Sequence, residues 1–126
     1  MDNNAFGKFI KEKRQQNELS LRALAKQVEL SHIYLYNIEN GIKAPPNDIV
    51  LKRLAIALNL DEKNQLIFFD TAAKCKFDTD STNYYIPVDI SQYLNENEDV
   101  RNVIREANQK EQHKSFWNEL LKELKE

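Results

Sequence analysis

The residues best equipped for chemistry in this chain are few and scattered. His32 and His113 stand far apart, Cys75 is the one thiol, and no Cys/His set has the spacing of a metal site. With 2 Gly in the whole chain there is no glycine-rich loop to cradle a phosphate, and the carboxylates of "NENED" read as a solvated cap region. Catalysis, a metal and a cofactor are therefore not expected. What remains is recognition chemistry: Ile33, Tyr36, Asn37 and Asn40 recur at i, i+3, i+4 and i+7, one stripe of a helix. That stripe is distinct from Leu35 and Ile38, which belong to a core face.

The elements that must hold this stripe follow from caps and apolar periodicity. Phe6, Phe9 and Ile10, extended by Lys13 and Arg14, predict a first amphipathic helix ending near Asn17 and Glu18. Ser20 is the expected cap of a second helix lined by Leu24, Ala25 and Val28, and Ser31 the cap of a third containing Leu35 and Ile38. Asn40 and Gly41 tolerate the left-handed conformation that closes a helix. "KAPPND" is a loop. Asp48 is the expected cap of a fourth helix with Ile49, Leu51, Leu54, Ala55 and Leu58 inward, and Asp61 opens a fifth through "EKNQLIFFDTAAKCK", where Cys75 is a small apolar filler.

"FDTDSTNYYIP" breaks the periodicity. Beyond it, Asp89 or Ser91 opens a short helix with Ile90, Tyr93 and Leu94. Val100, Val103, Ile104 and Ala107 then form one helical stripe, and Phe116, Trp117, Leu120, Leu121 and Leu124 another. The expected division is residues 1–76 as a five-helix domain, 77–88 as linker or extended segment, and 89–126 as a helical C-terminal region.

Composition agrees with an all-α chain: 41% of its 126 residues are hydrophobic and 30% charged, with 3 Pro. No apolar run is long enough to span a membrane and no signal-peptide pattern opens the chain, so a cytoplasmic protein is expected. Residues 1–60 carry nine Lys/Arg against six Asp/Glu, and residues 61–126 nine against fourteen, so the front half is +3 and the back half −5. Only the front half is suited to a polyanion.

Two short helices joined by a tight turn and covered by others is also how a DNA-reading helix-turn-helix is built. In "FGKFIKEKR", "LSLRALA", "LSHIYLYNIENG", "PP" and "LKRLAIALNLD", over about residues 5–73, the chain resembles the XRE family, whose small helical domain is shared with lambdoid phage repressors and Cro proteins. "IPVDISQYL" and "SFWNELL" are similar to the C-terminal extension of short XRE regulators from Gram-positive bacteria, many on mobile elements. The resemblance implies a lambda-repressor-like five-helix fold followed by a small helical extension, and a sequence-specific regulator of transcription, a repressor.

Carried onto this sequence, the family's base-reading surface is His32, Ile33, Tyr36 and Asn37. Asn37 can pair with adenine through two hydrogen bonds, Ile33 can touch a thymine methyl, and Tyr36 can offer its hydroxyl to a base or phosphate. Arg22, Lys26, Asn40 and Lys43 are the expected phosphate contacts, with Lys11 and Lys13 as further cations, while Tyr34 is expected to pack. Arg14 and Glu39 match positions where the family pairs arginine with glutamate. The chain departs from the family at Leu21, where a glutamine commonly holds a phosphate, and at Glu29, where glycine commonly makes the turn; Arg22 or backbone amides would take over the contact at 21.

So few cations imply weak binding by one subunit and hence a homodimer on double-stranded DNA, with the acidic C-terminal region as its surface. That region is equally open to an anti-repressor or another protein partner. A second reading from a different class is an antitoxin-like or partner-sequestering interaction module with secondary DNA binding.

Overall fold

The computed structural model describes residues 4–76 and 86–126, and every regular element among them is helical. Up to Ile90 they form one compact unit and Ser91–Glu126 a second. The first holds α1 (Ala5–Gln16), α2 (Leu21–Gln27), α3 (His32–Glu39), α4 (Asp48–Ala57) and α5 (Glu62–Lys76). Next in the chain come α6 (Val88–Glu96), α7 (Glu98–Gln109) and α8 (Lys114–Lys125). Most of the linker expected at 77–88 lies outside the described residues, including Tyr84 and Tyr85 of the short extended stretch; Val88 opens α6 one residue before Asp89 and is buried.

The core of the first unit obeys the apolar spacing. Phe6, Ile10, Leu24, Val28, Leu35, Ile38, Leu54, Leu58 and Phe68 are sealed from solvent, and α1 packs on α3 and α5 while α2 packs on α3 and α4. Phe68 of α5 is the hub: its ring stacks on Phe6 at 5.2 Å and on Phe9 at 5.6 Å, and tilts against Phe69 at 5.5 Å.

Side-chain caps start the helices. Ser20 Oγ accepts from the Ala23 amide at 3.0 Å and Ser31 Oγ from the Tyr34 amide at 3.1 Å, each satisfying an amide the helix itself leaves unpaired. Asp61 Oδ1 does the same for Asn64 at 2.8 Å. At α4 the expected cap shifts by one: Asn47 accepts from Val50 at 3.0 Å, and Asp48 sits in the first turn, where its charge favours the helix dipole. The same register turns Ile49 outward, 64% exposed, and brings Val50 into the core in its place.

Five helices end alike. After α1, α2, α3, α4 and α7 comes a residue with positive φ: Glu18 (55°), Glu29 (59°), Gly41 (75°), Asn59 (52°) and Glu111 (50°). Each time that residue donates to the carbonyl three back and its successor to the carbonyl five back, as in Glu29 to Lys26 (3.3 Å) and Leu30 to Ala25 (2.9 Å). This is the Schellman closure, which usually uses glycine because a Cβ is strained there. Here glycine fills one position of the five, and Glu29 supplies the left-handed residue of the tight turn between α2 and α3.

Candidate nucleic-acid interface

The third helix is anchored before it is aimed. Leu35 and Ile38 are buried, and α2 lies against it through a turn short enough to fix their crossing. Its C-terminal end is tied to α1 at three points. Arg14 Nε and Nη2 donate to Glu39 Oε2 and Oε1 at 2.7 and 3.0 Å, and Nη1 donates to the Leu19 carbonyl at 3.0 Å. Glu39 is 4% exposed, so its charge is tolerable because the guanidinium meets both oxygens. Asn4 Nδ2 donates to the Glu39 carbonyl at 3.1 Å. Gly7 faces the same backbone so closely that an added Cβ would lie 2.5 Å from the carbonyl oxygens of Ile38 and Glu39.

With that side committed, the other is free. Ile33 and Tyr36 are 63% and 53% exposed, His32 and Asn37 half-buried, and the Asn37 side-chain amide has no hydrogen bond among the described residues. An unpaired amide flanked by a phenol and a branched apolar side chain can both read hydrogen-bonding edges and touch methyl groups. Tyr34 is 36% exposed, at the rim of this face.

The cations divide by what already holds them. Arg22, Lys26 and Lys43 are exposed and have no ion-pair partner among the described residues, so they stay available to an anion. Arg14 belongs to Glu39, and Arg53 pairs with Glu29 at 3.1 Å. Lys13 lies over the Phe9 ring at 5.5 Å and donates to Gln16, whereas Lys11 is exposed. Asn40 donates its side-chain amide to the Tyr36 carbonyl at 2.8 Å, so the phosphate contact expected of it requires that bond to open. Leu21, where the family often has glutamine, packs on the core, and Arg22 beside it reaches solvent.

Three features went unread in the sequence. Gly7 is a site of close backbone approach, a property visible only once α1 and α3 meet. Ile42, just past α3, is a large apolar residue left exposed. Asn17 bridges the ends of two helices, its amide donating to the carbonyls of Lys13 at 2.7 Å and Leu58 at 2.9 Å.

Comparison with known proteins agrees with this geometry. A helix-turn-helix family model matches residues 10–63. The "ImmF control region 10 kDa protein" of Bacillus phage phi105 is 39% identical over 61 residues, which are 48% of this chain and 67% of that protein. No solved structure matches. Among the described residues no helix is long and apolar enough to cross a membrane. The chain belongs to the helix-turn-helix family in its XRE-like form, a family of DNA-binding regulators.

Proposed function

We propose that the chain is a dimeric, sequence-specific repressor that reads the major groove with the helix 31–40 and occludes a promoter, its own among the candidates. One observation carries this reading: α3 is pinned from one side by Arg14, Asn4 and the core, while Ile33, Tyr36 and the unbonded amide of Asn37 face solvent. A side chain that forms no internal bond on a helix held in place is available for base edges without first breaking a contact. Arg22, Lys26 and Lys43 supply the phosphate grip, and Asn40 joins them if its amide leaves Tyr36. His32 opens the helix at the end that enters the groove first. The phage relative's name, a control-region protein, supports a regulatory role.

The test is selection of binding sites from random duplexes by the full chain, followed by titration of the selected site. Asn37→Ala should change the preferred sequence, and Lys43→Ala should weaken binding to all sequences alike. A chain that shows no sequence preference at any salt concentration refutes the reading and leaves the interaction-module alternative, which the exposed apolar residues of α7 and α8 would favour.

A further inference from the structure

The second unit carries two helices whose apolar stripes face solvent in part and whose charges are sorted with respect to them. In α7 the stripe is Val100, Val103, Ile104 and Ala107; in α8 it is Phe116, Trp117, Leu120, Leu121 and Leu124. Successive residues of a helix turn in one sense, so the residue after a stripe member lies to one side of the stripe and the residue before it to the other. Arg101 follows Val100, Arg105 follows Ile104, Lys122 follows Leu121 and Lys125 follows Leu124. Asp99 precedes Val100, Glu106 precedes Ala107, Glu119 precedes Leu120 and Glu123 precedes Leu124. Both helices therefore have an apolar face, a basic flank and an acidic flank in the same rotational order.

That order selects a packing direction. When two such helices pack antiparallel through their apolar faces, like flanks meet; when they pack parallel, each basic flank meets an acidic one. An antiparallel pairing of α8 with α8 of another copy would set Lys114 of one beside Lys125 of the other, twice. A parallel, in-register pairing sets Glu123 of one copy beside Lys125 of the other, also twice. An antiparallel hairpin of α7 on α8 has the same fault as the first arrangement, which leaves α8 better matched to its own copy than to its neighbour in the chain. A second copy is also the partner certain to present the complementary flanks.

We propose that α8 pairs in parallel and in register with α8 of a second copy, Trp117, Leu120 and Leu124 forming the seam between flanking Glu123 and Lys125 pairs. This rests on the dimeric regulator proposed above and specifies its interface. Twelve residues make a short seam, so the pairing is weak but measurable in free solution and tightens when both copies sit on one duplex. Parallel pairing places the two-fold axis along α8, so both chains enter the seam from the same end.

The experiment uses the full chain with Cys75→Ser and one introduced cysteine. Leu124 is 76% exposed, so Leu124→Cys leaves the fold intact. Under mild oxidation Leu124→Cys should cross-link to itself, because only in-register parallel helices bring that position within disulfide reach of its own copy. Cross-linking that appears only when Trp117→Cys and Leu124→Cys chains are mixed would mean antiparallel pairing and overturn the proposal. So would a wild-type chain that sediments as a monomer at every concentration. As a second measure, Glu123→Lys should raise the dimer dissociation constant about fivefold or more, with recovery in Glu123→Lys/Lys125→Glu; an unchanged constant in both variants overturns the flank pairing. Loss of site-specific DNA binding by a chain that still cross-links at 124 would count against the regulator reading and leave the pairing standing.

Discussion

Glutamate in the left-handed conformation offers a quantitative test of how this fold is held. An L-residue there is strained by about 1–2 kcal/mol, and glycine relieves this while adding unfolded-chain entropy worth about 0.5–1 kcal/mol. At Glu18, which has no ion pair among the described residues, Glu18→Gly should stabilise the first unit by about 0.5–1 kcal/mol. At Glu29 the same substitution also removes the contact to Arg53, at 3.1 Å between side chains 45% and 73% exposed. A pair so exposed contributes about 0–1 kcal/mol, so Glu29→Gly should range from a loss of about 0.5 kcal/mol to a gain of about 1 kcal/mol. Arg53→Gln, made alone and with Glu29→Gly, separates the two terms by a double-mutant cycle. Urea unfolding monitored by circular dichroism reads each midpoint, and a gain of 1 kcal/mol should raise the melting temperature by about 4–8 °C. If Glu18→Gly destabilises, the left-handed closures are not strained and the argument for all four non-glycine positions fails.

Other substitutions probe the anchoring of α3. Gly7→Ala forces a methyl against two backbone carbonyls and should destabilise by about 1–3 kcal/mol in urea unfolding, with DNA affinity falling further than stability alone explains. Glu39→Ala strands the Arg14 guanidinium, which is 12% exposed, and should cost about 3–5 kcal/mol; thermal unfolding of Glu39→Gln, which keeps the shape and loses the charge, should fall between. In the proposed dimer Arg22, Lys26 and Lys43 would make six phosphate contacts, so affinity for the selected site should drop about 10³-fold between about 50 and 200 mM salt, and Lys43→Ala should flatten that dependence in a fluorescence-anisotropy titration.

Features set by neighbours in sequence were readable, and those set by neighbours in space were not. Ser20 and Ser31 could be identified as caps because the amide each satisfies lies three residues on. Asn47 and Asp48 are both good caps and adjacent, and the choice between them fell to which one lets Val50 rather than Ile49 turn inward. α4 is apolar around much of its circumference, so its pattern did not name the exposed side. Phe68 lies in the fifth helix expected from Asp61, but nothing in that stretch marked it as a hub, because its stacking partners Phe6 and Phe9 sit on a helix far back in the chain. Nothing local couples Arg14 to Glu39 across 25 residues, or warns that Gly7 abuts two carbonyls. The outward stripe of α3 was readable because two residues of its opposite side, Leu35 and Ile38, are unmistakably core; whether Asn40 turns out to phosphate or back onto its own helix was not.

The five helix closures differ in how the residue after each left-handed position is placed. After Glu18, Glu29 and Asn59 the next residue is Leu19, Leu30 or Leu60, each packed into the core, so tertiary contact braces a conformation the local chain resists. After α3 that residue is the exposed Ile42, and there the chain uses glycine. After α7 neither remedy is present: Glu111 is succeeded by exposed Gln112. The joint between α7 and α8 is thus a closure with neither remedy, the place within the second unit where a change of angle disturbs the fewest contacts.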